Sequence, residues 1–311
     1  MTLSLVSPDL GNCTFPTHKE KSTTETDEKK YIDIEKVVIT TRLPLCIAKV
    51  IGLFKDLCFT IGTLVSRRRH SMNYDKVIGN YEKAKGIIVL IHGLNAHPSQ
   101  MDGHFEAFEK SLGDEVLIYQ VQVFNKGNCS KSEAIKKITE TVLPILQDKP
   151  NMKLYAHGVS NGGWLSSQLA IDVLQKGIDA NRIMVNSSSS PFYGTKVICD
   201  PKTASWQQKI WKWILQSPLA GRHAEVVYQD FCWGSDAGKK VITNIQLAAQ
   251  KGVTFEFEGC FADSKVTPPS FYPKNVLNAQ YFYPNNIQGH SSIIASQRPR
   301  QVESAKTFIQ K

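Results

Sequence analysis

Ser160 stands in the stretch Gly158-Val159-Ser160-Asn161-Gly162, with a glycine two positions away on either side. Downstream lie Asp263, in "ADSKV", and His290, in "GHSS". A hydroxyl, a carboxylate and an imidazole in that order suit nucleophilic acyl transfer. The serine attacks a carbonyl, the histidine takes and returns its proton, and the acid orients the ring. Such chemistry needs the serine lifted off a strand end by a sharp turn, and glycines on both sides relieve the crowding there. It also needs donors for the developing oxyanion. The backbone N–H groups of Leu94, in "IHGLN", and of Asn161 are the candidates. His92 is expected to brace that loop through hydrogen bonds. His97, Asp102 and His104 read as loop residues that equally suit a site entrance. Asp236, in "WGSDAG", is the second candidate for the acid, within an inserted region.

The elements around these residues support the pattern. "GIIVLIHG" (Gly86–Gly93) is a continuous apolar run of buried-strand type. "EVLIYQVQVF", "MKLYAHG", "RIMVNSSSS", "VTFEFEGCF" and "NAQYFYPN" read as further strands. "SKSEAIKKITETVLPIL", "NGGWLSSQLAIDVLQKG" and the terminal "QVESAKTFIQK" read as helices. Strands alternating with helices imply a mostly parallel sheet covered on both faces. Ser160 then falls between a buried strand and a helix. Asp263 and His290 fall in loops just past strands, where open α/β sheets collect their sites.

The flanking segments are of a different kind. Residues 1–30 are almost wholly polar and read as a disordered tail. Residues 31–71 form an amphipathic, apolar helical segment, within which Leu43 to His70 is long enough to span a bilayer. Lys55 and Asp56 near its centre make spanning marginal. Lys49, Lys55 and Asp56 share one arc of the helical wheel, leaving a wide apolar face. A helix lying in the membrane interface through 43–70 is the favoured reading, ahead of one packed on the main domain. The main domain is expected over 72–311, with a lid or cap insertion at about 193–252. There Trp206, Ile210 and Trp213 recur at helical spacing. They suit a lid over an acyl pocket or, equally, a helix docked permanently on the sheet.

Composition narrows the classes further. A chain of 311 residues, 41% hydrophobic and 21% charged, has enough apolar content for a sizeable core. The net charge of +9 favours anionic surfaces, but its sharpest cluster, Arg67 to Arg69, carries no nucleic-acid motif. Seven scattered cysteines without CxxC spacing argue against a zinc site or a disulfide framework. Cys199 with Cys232 is the one pair weighed as a bridge. The N-terminus lacks a basic stretch followed by a long apolar run. No classical signal peptide is therefore evident, and the expected location is cytoplasmic or peripheral to a membrane.

From about Gly86 onward the chain resembles the α/β-hydrolase superfamily, in its lipase and esterase branch. The likeness rests on "HGLN", "GVSNGG", "SPFYGT" (Ser190–Thr195), "ADSKV" and "GHSS". It implies a Ser-His-Asp mechanism with an acyl-enzyme and no cofactor or metal, Ser160, His290 and Asp263 taking those roles. "SPFYGT" is similar to the Thr-Pro-His-x-Gly-Thr stretch of bacterial lipases and points to lipid-like acyl esters. The chain departs from the pattern at Val159, where lipases often carry His or Tyr, and lacks the HGGG oxyanion loop. An acyltransferase, thioesterase or peptidase with the same triad is the alternative reading. A non-catalytic, hydrolase-like binding protein at a membrane is another.

Overall fold

A computed structural model describes residues 45–69, 75–93, 96–123, 130–194, 206, 209–210, 234–260, 263, 265–266, 268–282, 289–290 and 293–311. Along the chain these form α1 (Leu45–Arg69), β1 (Lys76–Ile78), β2 (Gly86–Ile91), α2 (Asp102–Leu112) and β3 (Val116–Val121). Then come α3 (Lys131–Asp148), β4 (Lys153–Val159), α4 (Asn161–Gln175), β5 (Ile183–Ser188) and α5 (Asp236–Gln250). The last are β6 (Thr254–Glu258), α6 (Pro268–Phe271), β7 (Gln280–Phe282) and α7 (Ile293–Gln310).

The strands line up as β1-β3-β2-β4-β5-β6-β7. β1 runs antiparallel to β3 and every other pairing is parallel. Alternation along each strand splits the core into two layers. Ile87, Val89 and Ile91 face one side of β2 with Leu154 and Ala156 of β4, under α3, α4 and α5. Ile88, Leu90, Tyr155 and Val159 face the other, under Phe105 and Phe108 of α2 and Ile294, Ala305 and Ile309 of α7. All six residues of β2 and of β3 are buried, as the continuous apolar runs require. α3 opens with a capping box: Ser130 Oγ accepts from the Glu133 N–H, and Glu133 reaches back to the Ser130 N–H.

Several expectations are corrected. Asp102 and His104 lie on α2, not in a loop. The terminal helix starts at Ile293, eight residues before the expected "QVESAKTFIQK", and runs through Pro299. α5 lies within the expected 193–252 insertion, but Val241, Ile242, Ile245 and Ala248 join the sheet core. That part is an ordinary crossover helix. Between residues 195 and 233, Trp206, Lys209 and Ile210 are described, all helical and exposed. Trp213, Cys199 and Cys232 lie outside the described residues. Among the described residues no helix is long and apolar enough to cross a membrane.

Candidate active site

β4 runs into Ser160 and α4 leaves it. Ser160 sits at φ 55°, ψ −123°, a conformation that L-residues other than glycine adopt at a cost of about 1–3 kcal/mol. Its neighbours hold it there. The Ser160 N–H donates to the Ser188 carbonyl at 2.7 Å, and the Ser160 carbonyl accepts from Ser190 Oγ at 2.7 Å. Gly158 and Gly162 make room for the turn. A Cβ on Gly158 would lie 2.1 Å from the Gly162 carbonyl oxygen, and one on Gly162 would lie 2.2 Å from that of Ile91. The flanking glycines are thus a steric requirement of this turn.

The end of β2 lies against the serine. A Cβ on Gly93 would be 3.3 Å from Ser160 Cβ. His92, buried, spans the ends of β2 and β3. The Val123 N–H donates to its Nε2 at 3.2 Å, so Nδ1 carries the proton and donates to the Gly93 carbonyl at 2.8 Å. It braces the loop, as expected. The Gly93 N–H donates to Gln100 Oε1 at 3.0 Å. Leu94 lies outside the described residues. Asn161 is the first residue of α4, where backbone N–H groups point outward from the helix end and favour negative charge.

His290 and Asp263 come together in the fold. His290 Nδ1 is 2.6 Å from Asp263 Oδ2, and both side chains are buried. Asp263 Oδ1 accepts from the backbone N–H groups of Lys265 (2.7 Å) and Val266 (2.9 Å), which fixes the carboxylate plane. Cys260 is buried beside them, its Sγ 3.4 Å from the Gly289 carbonyl oxygen. Burial, with Asp263 and Asp56 nearby, pushes its thiol well above the ordinary range. The second acid candidate, Asp236, is a solvent-facing first-turn residue of α5, 3.1 Å from Lys239 Nζ.

The other sequence candidates have structural duties. His97 Nδ1 accepts from the Ser99 N–H and caps a short 3-10 turn. Asp102 accepts from Gln120 Nε2 at 2.8 Å. His104 is buried under α2, its Nε2 2.6 Å from Gln301 Oε1, and so does not line an entrance. Sequence reasoning missed one residue at the site. Asp56, on α1, is fully buried and accepts from the His290 backbone N–H at 2.9 Å. The available signal was a charge in the middle of an apolar helix. Among the described residues, no group of three His, Cys, Asp or Glu is placed to hold a metal ion.

No family model and no curated protein matches the chain. Solved structures do. The peroxisomal alpha-beta-hydrolase Lpx1 of Saccharomyces cerevisiae superposes with a TM-score of 0.54 at 10% identity, over 75% of this chain and 81% of that one. This chain has the α/β-hydrolase fold. A lipase-esterase related protein from Clostridium acetobutylicum matches at 15% identity over 76% of this chain and 100% of that one, with a TM-score of 0.45. A monoacylglycerol lipase of Paleococcus ferrophilus matches at 18% identity over 74% and 98%, with a TM-score of 0.43. Ser160 stands on the turn from β4 into α4.

Proposed function

We propose that the chain is a serine hydrolase of carboxylic esters, with Ser160 as nucleophile, His290 as base and Asp263 as orienting acid. The observation that carries this reading is the backbone of Ser160. A serine stands at φ 55° on the strand-to-helix turn, where a structural turn would take glycine at no steric cost. Ser160 Oγ attacks the ester carbonyl, and the N–H groups of Asn161 and Leu94 receive the oxyanion. His290 carries the proton to the leaving alcohol while Asp263 stabilises the imidazolium, and water then releases the acid. No cofactor enters these steps. Lipid-like acyl esters are the proposed substrates, on the strength of "SPFYGT" and the exposed Trp206 and Ile210 beyond it.

Labelling with a fluorophosphonate probe tests the assignment. Wild type is expected to label at Ser160 and Ser160→Ala not at all. Hydrolysis should drop by about 10⁴-fold or more in the variant. Folded wild-type protein that does not label would reject the reading. Acyl esters graded in length then test the substrate class, with longer chains expected to raise kcat/KM.

A further inference from the structure

α1 is built inside out for a helix facing water. Ala48, Gly52 and Asp56 recur at i, i+4, i+8 and are buried against the hydrolase domain. Ile47, Val50, Phe54 and Ile61 recur at i, i+3, i+7, i+14 on the other side and are 47%, 53%, 67% and 60% exposed. The charge-bearing face has therefore turned inward, and an unbroken apolar stripe has turned outward.

The inward face reaches the candidate base. Asp56 Oδ2 accepts from the His290 N–H at 2.9 Å. The approach is close: a Cβ on Gly289 would lie 2.5 Å from the Gly52 carbonyl oxygen and 2.6 Å from Asp56 Oδ1. Small residues on both sides thus let the helix backbone and the His290 loop touch. Asp56 also shares its electrostatic surroundings with Asp263, since both carboxylates act on Cys260 and on Lys265. The helix is basic in sequence at its C-terminal end. α1 closes with Arg67-Arg68-Arg69 in a chain of net charge +9. An apolar stripe ended by three arginines matches an anionic lipid surface, with acyl chains along the stripe and headgroups at the basic end.

We propose that α1 is a lipid-docking helix tied to catalysis: its Ile47–Val50–Phe54–Ile61 stripe seats on an anionic membrane surface, and Asp56 on its opposite face positions the His290 loop. Seating the stripe steadies the helix, and the helix steadies the histidine. The positioning half rests on His290 being the base, as proposed above. The docking half does not.

Flotation of the full chain with phosphatidylcholine vesicles carrying on the order of a third phosphatidylglycerol tests the first half. Wild type is expected to float. The Val50→Glu/Phe54→Glu double variant, at an unaltered melting temperature, is expected to stay in solution. Wild type that does not float, or a variant that floats as well, overturns docking. So does a variant that instead turns a dimer into a monomer by light scattering, since a second copy would then cover the face.

Hydrogen exchange at Gly289–His290 tests the second half without needing activity. Vesicles are expected to slow exchange there in wild type, and Asp56→Ala to speed it about tenfold or more. Should Asp56→Ala not fold, the vesicle-dependent slowing in wild type still decides. Exchange indifferent to the vesicles and, where the variant folds, to Asp56→Ala overturns the coupling. On a water-soluble ester, Asp56→Ala should lower kcat about 10- to 100-fold at constant KM. Asp56→Asn, which keeps an acceptor oxygen, should recover most of it. Equal kcat in all three would remove Asp56 from the mechanism. Absence of Ser160 labelling rejects the hydrolase reading alone and leaves flotation and exchange as they stand.

Discussion

Asn161 follows Ser160 directly, and among the described residues both polar atoms of its buried side-chain amide are without a hydrogen-bond partner. An unsatisfied buried amide costs about 1–3 kcal/mol. Together with the backbone strain at Ser160, the turn thus concentrates unfavourable free energy around one hydroxyl. A polar group in this position, beside the proposed nucleophile, is well placed to be satisfied by substrate. Asn161→Leu keeps the backbone N–H and nearly the same volume while removing the unpaired atoms. The variant is expected to melt a few degrees higher and to hydrolyse esters about two- to tenfold more slowly in kcat/KM. Melting curves and ester kinetics measured together decide it. A fall in both would make the amide a structural group.

At the scale of elements, α7 is fastened to β6 by a buried polar network. Arg300 pairs with Glu256 at 3.2 Å and more closely with Glu258, while lying over the Phe282 ring. Ser304 Oγ donates to Glu256 and Gln301 Nε2 to Glu258, each at 2.6 Å, and Asn186 Nδ2 donates to both carboxylates. Arg300→Met leaves two buried carboxylates with less compensation. It is expected to cost about 3–5 kcal/mol, read as a lower urea midpoint at constant slope. An unshifted midpoint would show the ion pairs to be dispensable. This network also explains what the sequence hid. β2, β3 and β4 were legible because both their faces are buried and apolar. The start of α7 was not, because it runs through Pro299, and its polar Arg300 finds its partners far away on β6. α2 was missed for the same reason: Asp102 and His104 look like loop residues until Gln120 and Gln301 are seen beside them. Ser160, Asp263 and His290 could be proposed from order along the chain. Asp56 could not, being 234 residues from its partner.

Across the whole molecule, the layer between sheet, α2 and α7 buries two histidines, His104 and His157. His157 is buried on β4, with its ring 4.8 Å from that of His104. Its Nδ1–H donates to Asn186 Oδ1 at 2.8 Å, since the amide nitrogen of Asn186 is committed to the glutamates. Burial, with a smaller contribution from Arg300, pushes the His157 pKa down from 6.5 to about 4, despite the opposing hydrogen bonds to Asn186. His104 is lowered as well, first by burial and then by His157. The sign of the linkage follows. Above pH 6.5 folded and unfolded chains both hold His157 neutral and nothing is lost. Between 6.5 and 4 the unfolded chain binds the proton and the folded one resists it. Stability therefore falls with pH through that window, by about 3 kcal/mol for His157 alone. Denaturation of wild type at steps from pH 7 to pH 4 should show this slope. His157→Gln should start less stable at pH 7, having lost its fit to Asn186, yet descend more gently as His157's share disappears. Parallel descents would mean that the proton goes elsewhere. The expected outcome is a fold that gives way in mild acid by opening the α7 side of the sheet, taking with it the network that holds α7 behind His290.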